Sequence, residues 1–139
     1  MGMRDQYNKL HIVRALSPVS GAGDNTAQVS QIIDRSGFDA LTFAIALGSL
    51  ADADATFAVT MDEGDDSGLS DAAAVAAGDL LGTYAGAGFK FDSDDSIRKI
   101  GYKGTKRYVR LTITPSANTG AWLVSVVAIL GLAYLEPTT

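Results

Sequence analysis

The single histidine, His11, lies between Leu10 and Ile12-Val13 in an apolar stretch, with no serine in a nucleophile-elbow setting. A Ser-His-Asp arrangement would need it as the base, so it reads as a surface or interface residue. The chain has no cysteine. Disulfides, thiolate metal sites and thiol nucleophiles are therefore excluded, as is a multi-histidine metal site within one chain. The oxygen-rich segments Asp62-Glu63-Gly64-Asp65-Asp66-Ser67-Gly68 and Asp92-Ser93-Asp94-Asp95-Ser96 offer carboxylates of the type calcium takes. Neither has the EF-hand spacing, with glycine at position six and glutamate at twelve, so both read as solvated turns, with a weak calcium left open. The only glutamates are Glu63 and Glu136, one in a turn and one in the tail. They are poorly placed as the acid and base of a glycoside hydrolase. Ala85-Gly86-Ala87-Gly88 lacks the Lys-Ser/Thr of a phosphate cradle. The residue types point to a protein without catalysis, metal or cofactor.

One stretch remains that is suited to recognition. Arg98, Lys99, Lys103, Lys106, Arg107 and Arg110 interleave with Tyr102 and Tyr108. Such a run could stack single-stranded nucleic acid, or it could be the outer face of two strands. The net charge of −5 and pI of about 4.6 argue against nucleic acid and anionic membrane as partners. The six cations follow a segment, Asp52 to Asp95, that holds eleven acidic residues and only Lys90 as a base. Two arrangements are open: the halves meet in neighbouring strands and their charges pair, or the subunit is dipolar and docks by its basic edge.

The elements that must position these residues are strands. Leu41, Phe43, Ile45 and Leu47 recur at spacing two within 38–47. Phe57, Val59 and Met61 do so within 55–63, and Val109, Leu111 and Ile113, with Arg107 before them, within 106–114. This period marks half-buried strands. Leu41, Phe43, Ile45, Phe57, Val59, Val109, Leu111 and Ile113 are expected to face inward. Weaker strands are expected over 10–16, 27–33, 97–102 and 122–132. The last is apolar on both faces, as in a central strand or one covered by a neighbouring chain. Ser17-Pro18, Gly21 to Asp24, Ser36-Gly37, Glu63 to Gly68 and Ala85 to Gly88 read as turns. Ser70 to Ala77 is alanine-rich, with Ser70 placed to cap a short helix on a loop.

A chain of 139 residues that is 47% hydrophobic makes one ordinary domain. The expectation is all-β: an antiparallel β-sandwich or jelly roll of about eight strands. It comprises an extended N-terminal arm at 1–9, a single domain at 10–135 and a tail at 136–139. The arm is polar, shows no signal core, and carries Tyr7 as an anchor for a partner. The longest apolar run, Ala121 to Leu135, is shorter than the roughly 20 residues of a membrane helix.

Four segments carry a resemblance. Ile100-Gly101-Tyr102-Lys103-Gly104-Thr105-Lys106-Arg107-Tyr108-Val109-Arg110-Leu111-Thr112 is the most distinctive. Asp39-Ala40-Leu41-Thr42-Phe43, the acidic turn Asp62 to Ser67 and Asp79-Leu80-Leu81-Gly82 accompany it. Together they resemble a family of small proteins encoded among the head genes of tailed phages and prophages, over roughly 29–132. Members often carry a tryptophan after the acidic turn, where Leu69 and an alanine run stand here. The resemblance implies a non-enzymatic virion protein, a decoration or cement protein on the outside of the phage head. Its partner would be the major capsid protein shell. It would form a homo-oligomer, with a trimer favoured, and assemble in the host cytoplasm. Tyr7, Arg98, Lys99, Lys103, Lys106, Arg107 and Arg110 would then meet the shell. A head–tail connector or tail component is the alternative within this class. Lys106 to Leu111 is also similar to a late strand of discoidin-type jelly rolls, which implies a carbohydrate-binding module as the alternative from another class.

Overall fold

The computed structural model describes residues 4–135. Two antiparallel sheets pack face to face as a β-sandwich of jelly-roll type. The first is ordered β1 (His11–Gly21), β11 (Trp122–Ala133), β4 (Phe38–Leu50), β9 (Ile97–Tyr102) and β7 (Leu80–Leu81). The second centres on β10 (Tyr108–Ser116) and β5 (Thr56–Gly64). The short strands β2 (Gln28–Val29) and β3 (Ile33–Asp34) flank β10, and β6 (Ala73–Ala74) and β8 (Phe89–Lys90) flank β5.

The period-two residues form the core. Leu41, Phe43, Ile45, Phe57, Val59, Val109, Leu111 and Ile113 are all buried, so the inward register is the one the alternation predicts. Trp122 lies between the sheets, its ring 4.8 Å from that of Phe57 and 6.5 Å from that of Phe89. Aromatic pairs at these separations add to the stabilisation from buried area. β11 runs between β1 and β4, as a strand apolar on both faces should.

Several expectations need correction. Ser17-Pro18 is no turn: it lies inside β1, where the register with β11 shifts between Arg14 and Leu16 and again between Leu16 and Val19. β1 is the outermost strand of its sheet, and proline is tolerated there because it removes no ladder bond. The strand expected over 27–33 is split. The Ser30 hydroxyl accepts the Leu111 N–H at 3.0 Å, replacing a backbone rung, and the Gln31 N–H turns to the Ala15 carbonyl at 2.8 Å. Glu63 is not in a turn but within β5. No helix forms over Ser70 to Ala77. Ala73–Ala74 pairs with β5, and a 3-10 turn follows at Ala77–Asp79. The helix, α1, is at Tyr84–Ala87 instead, where a turn was expected, with the Thr83 hydroxyl accepting the Gly86 N–H at 2.9 Å.

Of the segment at 1–9, residues 1–3 lie outside the described residues, as does the tail at 136–139. Residues 7–9 form a turn. The Lys9 and Leu10 N–H groups reach the Gln6 carbonyl, and Asp5 accepts from both the backbone and the side chain of Asn8. Tyr7 is 88% exposed. Among the described residues, no helix is long and apolar enough to cross a membrane.

Candidate docking face and cavity

The six cations do not form one patch, because β9 belongs to the first sheet and β10 to the second. Three meet acidic partners. Lys106 Nζ lies 2.9 Å from Asp65, Arg107 Nε 2.9 Å from Asp34, and an Arg110 terminal nitrogen 3.4 Å from Asp62. Of the two arrangements open from the sequence, these contacts are the paired one: Lys106 and Arg110 meet carboxylates of the acidic segment, and Arg107 meets Asp34, which lies outside it. The Lys106–Asp65 and Arg107–Asp34 pairs are exposed, and such pairs stabilise by only about 0–1 kcal/mol, so their effect is mainly to cancel charge; Arg110–Asp62 is half-buried. Arg107 precedes β10 and is exposed, so it does not share the inward face of Val109. Lys99 and Lys103 are exposed. Arg98 pairs across β9 with the inward-facing Ile45, so its side chain enters the space between the sheets.

The distinctive run 100–112 has a structural explanation. The buried Tyr102 hydroxyl donates to Glu63 Oε2 at 2.5 Å and accepts the Lys106 N–H at 3.0 Å. Desolvation and the Glu63 carboxylate push this phenol well above its ordinary range, so it stays a donor. Gly104 lies against the Tyr102 ring, where a Cβ would come within 2.4 Å of the hydroxyl. Arg35 ties the connection down. Its guanidinium donates to the carbonyls of Lys106 and Gly104 and lies 5.2 Å from the Tyr102 ring centre. The Ser36-Gly37 turn signal marks this region of the chain, but nothing in the sequence pairs Arg35 with a loop some seventy residues on.

The acidic turn is likewise self-contained. Asp71 accepts the N–H groups of Asp65 and Asp66, and Asp66 accepts those of Gly68 and Ser70. These backbone bonds hold both carboxyls below the usual carboxylate range. Among the described residues, no group of three or more metal-ligating side chains gathers. His11 stacks on Phe38 with ring centres 5.5 Å apart.

Two features remain open for recognition. The outward face of the first sheet is made by cross-strand rows Ile12–Ile129–Thr42, Arg14–Val127–Ala44–Lys99, Ser125–Ala46–Ile97 and Leu123–Gly48. Ile12, Leu123, Val127 and Ile97 are exposed, as is Leu81 at the β7 edge. β4 contributes only small side chains at its outward positions, so the face is a shallow trough between aliphatic walls. It carries Arg14 and Lys99 and no carboxylate. Sequence reasoning noted the two-sided apolarity of β11 but not that β9, β7 and β1 extend it.

The second feature is an open cavity of about 570 Å³ beside β5, lined by Thr56 to Thr60, Tyr84, Phe89, Lys90, Ser93 and Arg98, among others. One Arg98 terminal nitrogen donates to Ser93 Oγ at 2.8 Å, while its Nε is buried with no hydrogen-bond partner among the described residues.

No family model matches the chain, and no curated protein matches it. Solved structures with a similar shape include that of the infectious bursal disease virus Gx strain, at 9% identity over 88% of this chain and 32% of the other, TM-score 0.49. The CBM22-1–GH10 modules of Clostridium thermocellum endo-1,4-beta-D-xylanase 10B, complexed with xylohexaose, match at 12% over 96% and 28%, TM-score 0.47. CBM32 of AlyQ, in complex with 4,5-unsaturated mannuronic acid, matches at 12% over 91% and 98%, TM-score 0.41. The chain spans about a third or less of the first two structures, and likeness at this level carries no argument about what it does.

Proposed function

We propose that the chain is a non-enzymatic virion subunit, a decoration or cement protein on the outside of a tailed-phage head, docking as a homotrimer on the major capsid protein shell. The observation that carries this reading is the outward face of the first sheet. Exposed aliphatic side chains on adjacent strands form a contiguous patch of the kind that marks protein interaction sites. On a chain of net charge −5 this face holds no carboxylate, so an acidic partner surface meets Arg14 and Lys99 without repulsion. Tyr7 stands exposed just before β1, the strand that borders the same face. Three copies engaging three equivalent sites gain effective concentration without new chemistry.

The test is occupancy on purified particles. Val127→Asp with Leu123→Asp should reduce bound protein at least tenfold while leaving circular dichroism unchanged. Deletion of residues 1–9 should reduce occupancy less, and more at high salt than at low. Unchanged occupancy of the double variant would refute the docking face. A label at one axial vertex instead of across the shell would refute decoration in favour of a connector or tail part.

A further inference from the structure

We infer that the end of the trough beside the break in β1 is a socket for a second copy of this chain, and that its occupant is the turn from Phe91 to Asp95 of that copy. The contact would build the homotrimer proposed above, and it rests on that reading for the number of copies alone.

The socket is open and apolar. The register shift in β1 between Leu16 and Val19 coincides with a pocket of about 390 Å³ on the outer face of the first sheet. Pro18 and Val19 of β1, Leu123 of β11, and Ala46 and Gly48 of β4 line it, and no charged side chain does. Pro18, Ala46 and Leu123 are exposed. Ile97, paired with Ala46 and 70% exposed, extends the apolar surface onto β9. The next row of the trough, about 7 Å further along the strands, holds Arg14 and Lys99, both exposed.

The turn has the matching parts. Phe91 is 44% exposed, and Asp92, Asp94 and Asp95 follow it, all exposed. Lys90, 3.9 Å from Asp92, offsets one of the three charges. The turn is held from beneath. The Leu50 N–H donates to Asp94 Oδ1 at 3.0 Å, the Asp95 N–H to the Gly48 carbonyl at 3.2 Å, and the Ser96 hydroxyl to the Ser93 carbonyl at 2.6 Å. Asp95 keeps a left-handed φ of 55°, a conformation that its surroundings must impose. A plug already fixed in shape loses little entropy on docking.

An aromatic anchor inside a polar rim, seated in an apolar pocket, is the arrangement that carries most of the energy at protein interfaces. With Phe91 of one copy over Ala46 of the next, the aspartates reach toward Arg14 and Lys99, on a face with no carboxylate to repel them. Charge complementarity selects the occupant, since one chain carries both the acid-rimmed plug and the cation-rimmed socket. Plug and socket are different surfaces, so the contact is head-to-tail, and it forms a ring where the rotation closes.

The test is sedimentation velocity on the full chain without particles. The chain should associate at micromolar concentration. Phe91→Ser, which removes the plug, and Ala46→Glu, which fills the socket and adds a carboxylate, should each weaken association at least tenfold. Mixed together, the two variants should pair again, because the first keeps its socket and the second its plug; pairing also shows that both are folded. Lys99→Glu should weaken association, and adding Asp92→Lys should restore it. A chain that stays monomeric up to millimolar concentration, association that neither variant weakens, or a mixture that stays monomeric would overturn the inference. Oligomers that fail to bind particles would sink the decoration reading and leave this contact standing, whereas monomers that occupy the shell would sink this contact alone.

Discussion

The two sheets bury similar residues and expose opposite ones. Inward, β4 and β5 present Phe43, Ile45, Phe57 and Val59, and either sheet could serve as a template for the other. Outward, the second sheet shows a hydroxyl ladder: Thr60 opposite Thr112, Ala58 opposite Thr114, Thr56 opposite Ser116, with the Asp62–Arg110 pair at one end. The first sheet shows Leu123, Val127, Ile97 and Ile12 over a floor of alanines and a glycine. Cross-strand threonine pairs stabilise a sheet that faces water. Aliphatic side chains in the same positions contribute little until something covers them. The interior therefore reports the fold, and the difference between the outer faces shows which of them has apolar area left to bury.

The sharpest way to break this comparison is to find the interiors unequal. Phe43→Ala in the first sheet and Leu111→Ala in the second should each lower unfolding free energy by roughly 2–5 kcal/mol in denaturant titrations. A cost under about 1 kcal/mol in one sheet alone would show that its packing is dispensable. Next in size is the tie between the sheets. Tyr102→Phe removes the donor to Glu63 and the acceptor of the Lys106 N–H, and should cost about 1–3 kcal/mol, with hydrogen exchange quickening first in residues 103–107.

Acid should distinguish the regions further. Asp66 and Asp71 are held low by backbone N–H donors, and Asp34 by Arg107. The native state therefore binds fewer protons than the unfolded chain as pH falls through the carboxylate range. Their stabilisation is complete above the ordinary carboxylate pKa and is lost as pH drops toward the depressed native values. Protection factors for amide exchange, which remove the intrinsic pH dependence of the reaction, should fall from pH 7 to pH 3 in the loops flanking β5 and β3 before they fall in β11. Asp71→Asn should shrink that pH difference. The smallest effects are at the outer faces. Thr60→Val and Val127→Ser should each change stability by no more than about 0.5 kcal/mol, and a larger loss from Val127→Ser would mean that the trough is packed in the free protein.

The long strands were legible because each has one buried face, and burial imposes period two. The split over Gln28 to Ile33 was not, since it depends on a side-chain hydroxyl replacing a backbone rung. The alanine run read as a helix by propensity, yet Val75 within it is buried and bonded to Met61, so tertiary pairing overrides local preference. The cations of 98–110 could be read as a charged run, but which of them meets an aspartate is set by register between strands far apart in the chain. The cavity left no sequence signal, because the inward direction of Arg98 follows only from the pairing of β9 with β4.

The double break in β1 around Pro18 also constrains crowding. A straight outer strand offers a row of N–H and C=O groups that a second molecule can zip onto, and a protein displayed in many copies at high density would then grow into fibres. The proline and the two register shifts interrupt that row. Sideways growth along the edge would stop where the strand bends, and the faces of the sandwich are the surfaces free of that restriction.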